Sequence, residues 1–417
     1  MSTTHWGSSK GAGSQTASTT GYGRITNGGY PRYANENTEA YVQNRMYYAG
    51  VFSDMSLYVQ THDRGTAATL TFRKNGADGN QTLSFSNSGY FQDTTHTDTV
   101  ASGDSVGFKL VVGSGGTTTI DRIWGINFTP SDPTKHVCMF TNGGNITYST
   151  ASTSYYHPPI SVPGTSTTEG DQQLYMYAAG TMKNMSVYVE SNARTTATDI
   201  RLRKNGANGN LLVSFGNAES GHKEDVTNSD TVSVGDLLNW QLTTGTGTGN
   251  FKFQYVSAFY ETAAPYFYTG FGTSSGTTFN VNTTTYLCNA GQDSQSTTES
   301  QVASQIRLPA KFSNYQASIR NNTVSATSTL TLRKNSSSAG MTISIGSNQS
   351  GRLTESSPTT VTVQVGDKLD SQLVTGATGT SMRVHYVVLQ GRTGASGLRL
   401  WTTHLGGLQN VLGRRRF

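Results

Sequence analysis

The residues that could do chemistry fall into two groups, those that recur along the chain and those that occur once. The recurring charges are Glu39, Glu169 and Glu299; Arg73, Arg203 and Arg333; Lys74, Lys204 and Lys334; and Asp104, Asp236 and Asp367. An active site needs one asymmetric constellation of titratable groups, so charges present in every copy of a repeat point to the fold. The arginines and lysines are expected at strand ends, their stems over apolar surface and their heads meeting a carboxylate. Each Gly-Asp aspartate is expected to bond its own turn. The single-copy candidates are sparse. The histidines (His5, His62, His96, His136, His157, His222, His385 and His404) show none of the spacings of a zinc site. His136 and Cys138 would share a strand face but need further ligands from elsewhere. No G-x-S-x-G elbow is present, and Asp78-Gly79-Asn80 reads as a polar turn before it reads as a calcium loop. No carboxylate pair stands apart from the repeat, so a glycosidase has little to rest on. The expectation is a protein that is not an enzyme and has no metal or cofactor.

Aromatic side chains offer a different chemistry. Tyr47-Tyr48 and Tyr155-Tyr156 are adjacent, so on a strand one of each pair must face outward, whereas Tyr175 and Tyr177 share a face. Such rings serve either in subunit interfaces or as platforms for a host glycan, and the interface is the favoured expectation. The C-terminal end carries apolar anchors in a glycine-rich setting, namely Leu398, Leu400, Trp401, Leu405, Leu408, Leu412 and Phe417, with Arg414, Arg415 and Arg416 beside them. These cannot be buried locally and are expected to dock on a partner.

The elements that must position these residues come in three copies. Leu70-Thr71-Phe72-Arg73-Lys74-Asn75-Gly76 returns as Ile200-Arg201-Leu202-Arg203-Lys204-Asn205-Gly206 and as Leu330-Thr331-Leu332-Arg333-Lys334-Asn335-Ser336, at a period of 130 residues. Thr38-Glu39 and Gly103-Asp104 recur in the same register. Alternation of apolar and polar residues marks strands, and Asn-Gly marks tight hairpins; Ser336 in place of glycine predicts a different turn in the third copy. The reading is all-β: three tandem jelly-roll or β-sandwich modules of roughly eight strands, with an extended N-terminal arm and a C-terminal tail. The expected divisions are an arm over 1–29, modules over 30–130, 131–263 and 264–391, and a docking tail over 392–417. Polar connections are expected near Asn142–Thr153 and Gly270–Thr285, and a polar loop before each Gly-Asp turn.

Composition sets the outer bounds. Charged residues are 13% and hydrophobic residues 34% of 417, with 47 glycines, 21 tyrosines and 16 phenylalanines, which suits aromatic-rich short strands. The net charge of +5 is spread along the chain apart from Arg414–Arg416, unlike the dense stripe of a nucleic-acid binder. No run approaches a membrane span, and the N-terminus lacks the pattern of a secretory signal. Cys138 and Cys288 fall at non-equivalent points of the repeat and are expected as free thiols.

The strand ending in Arg-Lys-Asn-Gly, followed by the Gly-Asp strand, resembles the jelly-roll modules of tailed-bacteriophage virion proteins and the wider tumour-necrosis-factor-like group. The phrases are Arg73-Lys74-Asn75-Gly76 with Gly103-Asp104, Arg203-Lys204-Asn205-Gly206 with Val234-Gly235-Asp236, and Arg333-Lys334-Asn335 with Val365-Gly366-Asp367. The resemblance implies a virion structural protein made in the host cytoplasm, trimeric packing of modules and no cofactor. Decoration or cementing of a capsid is the expected role, with the major capsid protein or tail proteins as partners and self-association as a trimer or an intrachain pseudo-trimer. The alternative is a tail or head fibre that binds a host glycan or receptor. Neither membrane nor nucleic acid is expected as a partner.

Overall fold

The computed structural model describes residues 3–8, 13–15, 19–26, 38–144, 146–160, 165–289, 291–292, 295–355 and 359–394. These form β-structure with three short 3-10 turns, at Glu39–Tyr41, Glu169–Gln172 and Glu299–Gln301. The anchors Leu398, Leu400, Trp401, Leu405, Leu408, Leu412, Arg414, Arg415, Arg416 and Phe417 lie outside the described residues.

The second module displays the architecture. Its first strand is His136–Asn142, continued by Ile146–Tyr148, and its second is Ser154–His157, continued by Leu174–Tyr175. The remaining six are Gly180–Asn192, Thr198–Lys204, Ala207–Phe215, Gly221–Val232, Leu237–Thr243 and Phe251–Thr262. Strands one, eight, three and six make one sheet and two, seven, four and five the other. That order is the two interlocked Greek keys of a jelly roll. The first module repeats it from Thr4–Ser8 to Thr118–Pro130, and the third from Tyr266–Asn280 to Ser381–Thr393.

Several sequence expectations change here. The stretch read as an arm over 1–29 supplies strands to the first module: Thr4–Ser8 pairs with the eighth strand and Thr19–Gly23 with the seventh. Its Gly/Ser/Thr composition hides them, because a strand can take its order from the neighbouring ladder rather than from its own side chains. The connections expected at Asn142–Thr153 and Gly270–Thr285 likewise contain first strands, Ile146–Tyr148 and the Gly270–Asn280 part of Tyr266–Asn280. The polar loop expected before each Gly-Asp turn is the sixth strand, Gly89–Val100 or Gly221–Val232. It is an edge strand with one face wet, so threonine and aspartate suit it. Ser336 does not change its turn: Asn335 and Ser336 take φ of 51° and 63°, close to the 50° and 78° of Asn75 and Gly76. The hairpin ladder therefore imposes a left-handed conformation on a serine, at some cost in strain.

The modules contact one another head to tail, and the cycle closes. Tyr48 of the first donates to Glu261 Oε2 of the second at 2.7 Å. Gln172 Nε2 of the second lies 2.9 Å from His385 Nδ1 of the third. Tyr90 of the first donates to the Ala303 carbonyl of the third at 2.5 Å. The first strands of all three modules meet at the centre. Eighth strands are accordingly buried on both faces, as in Tyr255-Val256-Ser257-Ala258-Phe259-Tyr260. One face fills its own sandwich, and Phe259 on the other joins the core of the first module. Thr393 Oγ1 donates to the Thr3 carbonyl at 2.9 Å, so the two ends of the described body lie side by side.

Candidate functional site

The recurrent charges are consumed by one construction built three times. Arg73 grips Glu39 with Nε and Nη2, both at 2.9 Å; Arg203 grips Glu169 with both at 3.0 Å; Arg333 grips Glu299 at 2.8 and 3.2 Å. Planar two-point pairing of this kind is the strong form of an ion pair. Each pins a 3-10 turn to the end of the fourth strand. Lys74, Lys204 and Lys334 donate to the carbonyls of Thr99, Thr231 and Thr362 at 2.9–3.0 Å. Asn75, Asn205 and Asn335 donate at 2.7 Å to Asp104, Asp236 and Asp367. Those aspartates also accept the N–H of Ala101, Ser233 and Gln364 at 2.8 Å. The hairpin tip and the Gly-Asp turn are thereby locked together. Each of these side chains thus has a structural partner in its own module.

A prediction follows for the second copy, where the side chains of Arg203 and Glu169 are 14% and 19% exposed. Glu169→Gln leaves a partly buried guanidinium without its counter-charge and should cost about 2–3 kcal/mol. Denaturant midpoints read this directly.

Asp78 makes no calcium loop, because its carboxylate meets Arg73 Nη1 and Lys109 Nζ, each at 2.5 Å. The hydrogen bond from Lys109 leads the causes that hold its pKa below the usual carboxylate value. Cys138 and Cys288 are both buried and form no disulfide. Among the described residues no group of three His, Cys, Asp or Glu side chains is placed to hold a metal ion.

The tyrosines divide by place. Tyr47 and Tyr48 follow the short strand Asn44–Arg45, so the outward-facing alternation expected of a strand does not apply to them. Both rings pack on Phe259, with centroids 5.8 and 5.1 Å away. Burial alone would raise the pKa of Glu261 beside them, but hydrogen bonds from Lys135, Lys183 and Tyr48 overcome it and hold the group at about 2. Tyr155 and Tyr156 stay within the second module, Tyr155 against Tyr148 at 4.6 Å and Tyr156 receiving a 3.4 Å hydrogen bond from Gln241 Nε2.

Tyr175 and Tyr177 behave otherwise. They line a cleft of about 320 Å³ between the second and third modules, with Asn314, Arg352, Thr354 and Glu355 on its other wall. Gln316 clamps the Tyr175 backbone, accepting from its N–H at 3.1 Å and donating to its carbonyl at 2.9 Å. Tyr268 OH accepts the Tyr177 N–H at 3.2 Å. The cleft is therefore held from both modules by backbone as well as side chains. Asn314, Arg352 and Glu355 carry no local motif. Their sequence signal is that they stand in register with Asn184, His222 and Asp225, at the period of 130.

Comparison with known proteins adds no family. No family model and no curated protein matches the chain. Among solved structures it is similar to dimeric latent PorU from Porphyromonas gingivalis, 8% identical over 82% of this chain and 33% of that one, with a TM-score of 0.23. It is also similar to a Paenibacillus xanthan lyase, 14% identical over 70% of this chain and 30% of that one, with a TM-score of 0.17. The chain spans about a third of the length of these two structures, and likeness at such scores carries no argument about fold or function.

Proposed function

We propose that the chain is a non-enzymatic structural protein of a virus particle, a decoration or cement protein that seats on the capsid as a ready-made pseudo-trimer. The observation that carries this reading is the closed cycle of three modules within one polypeptide, with both ends of its described body at one end of the cycle. Such a body offers three near-equivalent faces to a threefold arrangement of partners, yet each face has its own side chains. Its seating end is the one that holds the links between modules. There the third strands begin, at Gly50, Gly180 and Ala310, each paired both with the end of an eighth strand and with Val100, Val232 or Val363. The Gly-Asp turns follow those valines. Val234 and Val365, 61% and 57% exposed, occupy equivalent places in two of these turns. The described body ends at Gly394, next to Thr393 and beside Thr3, at this same end. The structural partners that the recurrent charges find in every module support a non-catalytic role.

A fibre in which three chains stack trimeric layers would need other chains to supply contacts that the cycle already makes, so the single-chain reading is favoured. Light scattering of the purified protein should give the monomer mass of 44.6 kDa. Quantitative mass spectrometry of particles should give hundreds of copies, and Val234→Asp with Val365→Asp should lower that number. Absence from particles would end the virion reading, and a handful of copies would move it to a tail, neck or fibre part.

A further inference from the structure

We propose that the cleft between the second and third modules binds a saccharide that carries a carboxylate. The inference is independent of where the protein sits on a particle. Its size, about 320 Å³, is at the lower end of small-ligand sites and suits one or two sugar rings.

Arg352 is the centre of the argument. Its guanidinium lies over the Tyr175 ring, 5.2 Å from the centroid, and meets no carboxylate among the described residues. A guanidinium over an aromatic face can turn its N–H edge to a ligand, and that edge matches a carboxylate at two points. Tyr177, with its centroid 4.7 Å from that of Tyr175, is tilted 53° to it and gives the cleft a second aromatic surface. Hydroxyl-binding groups surround the rings. Asn314 Nδ2 is committed to Gln390 Oε1 at 2.7 Å, while its Oδ1 accepts no hydrogen bond among the described residues. Thr354 is exposed on the rim. Glu355 is turned into the wall: its Oε1 accepts the Tyr315 N–H at 3.2 Å and its Oε2 is buried. Burial raises the pKa of Glu355, and backbone N–H groups of Tyr315, Thr359 and Asn314 oppose that shift.

The two equivalent places in the cycle show why this one differs. Between the first and second modules the cleft is smaller, about 170 Å³, and holds His222 at the register of Arg352. Its cation, Arg45, is paired with Glu224 at 3.4 Å. Between the third and first modules Tyr90 holds that register and bonds the Ala303 carbonyl, while Arg307 reaches across to Gln92. Of the three equivalent places, as far as the described residues show them, the cleft between the second and third modules joins open volume to a cation that pairs with no carboxylate and reaches across to no neighbouring module, so one site per chain is expected.

The test is calorimetric titration of the full chain with two matched pairs of probes: cellobiouronic acid against cellobiose, and sialyllactose against lactose. At least one acidic member should bind with a stoichiometry of one, about tenfold or more tighter than its neutral partner, and more weakly as salt is raised. Arg352→Gln should weaken that binding by about tenfold or more with the melting temperature unchanged, and Arg352→Lys should restore part of it. If Arg352→Gln disturbs folding, Thr354→Trp fills the cleft from its exposed rim and should abolish binding. Equal binding of neutral and acidic members, three sites per chain, affinity indifferent to both variants, or no binding of either acid at millimolar concentration would each overturn the proposal.

Discussion

Asp370→Asn is expected to stabilise the chain by on the order of 3 kcal/mol at pH 9 and to change it little at pH 4. Asp370 lies on the seventh strand of the third module, 1% exposed, and its Oδ1 has no hydrogen-bond partner among the described residues. Burial first, and then the neighbouring Glu299 carboxylate, push its pKa up to about 8, against a smaller opposing pull from Arg333. The folded state therefore keeps a proton that the unfolded state releases near 3.8. Stability from this group is full below that lower value, declines as pH rises, and is lost once pH passes about 8. Asparagine resembles the protonated acid and cannot ionise, so the variant should show a flatter profile across this window. Only part of the shift is recovered, because the amide must find partners of its own. The second module already has this solution, with Asn239 in the register of Asp370. Denaturant unfolding of both proteins at pH 4, 7 and 9 measures the effect. Parallel curves at all three values would show that Asp370 is compensated in some other way.

The second large effect concerns Arg194, which is fully buried and pairs with no carboxylate among the described residues. Its Nη1 donates to the Gly247 carbonyl at 2.7 Å and its Nη2 to those of Tyr148 and Thr150 at 2.7 and 3.0 Å. One guanidinium thus ties together three stretches at the end of the sandwich remote from the Gly-Asp turns. Arg194→Ala strands the buried Tyr148 carbonyl, removes the partner of the part-buried Gly247 and Thr150 carbonyls and opens a cavity, a loss of about 3–5 kcal/mol and a fall in melting temperature of about 10 °C. Arg194→Lys should recover little, since one ammonium cannot span the three carbonyls in their planar array. The first module uses Arg64 in the same way, on Thr118 Oγ1 at 2.7 Å and the Gly115 carbonyl at 2.9 Å. The third has Val324, fully buried at the same register, and does without the clasp. A melting temperature unmoved by Arg194→Ala would mean that water replaces the guanidinium at no cost.

Much of this was legible in the residues. The period of 130 and the alternation around Leu70 and Phe72 specify three copies of a β-sandwich, because alternation buries one face whatever the sheet's neighbours are. The Asn-Gly and Gly-Asp phrases mark turns, because their conformations are local. The eighth strands carried a further signal: Tyr255 to Tyr260 and Val384 to Leu389 are nearly continuous in apolar residues rather than alternating, the mark of a strand covered on both faces.

What only the tertiary structure decided is everything that depends on distance across the chain. Thr4–Ser8 is a strand because the end of its module lies beside it, more than a hundred residues later. Glu39, Glu169 and Glu299 are ion-pair partners because each module folds a 3-10 turn onto its fourth strand. The isolation of Arg352 and the strain on Asp370 are differences between copies of one site, visible only when the environments are compared. Local sequence sets conformation through short-range sterics and periodicity, whereas charge compensation and desolvation depend on neighbours that folding alone brings together.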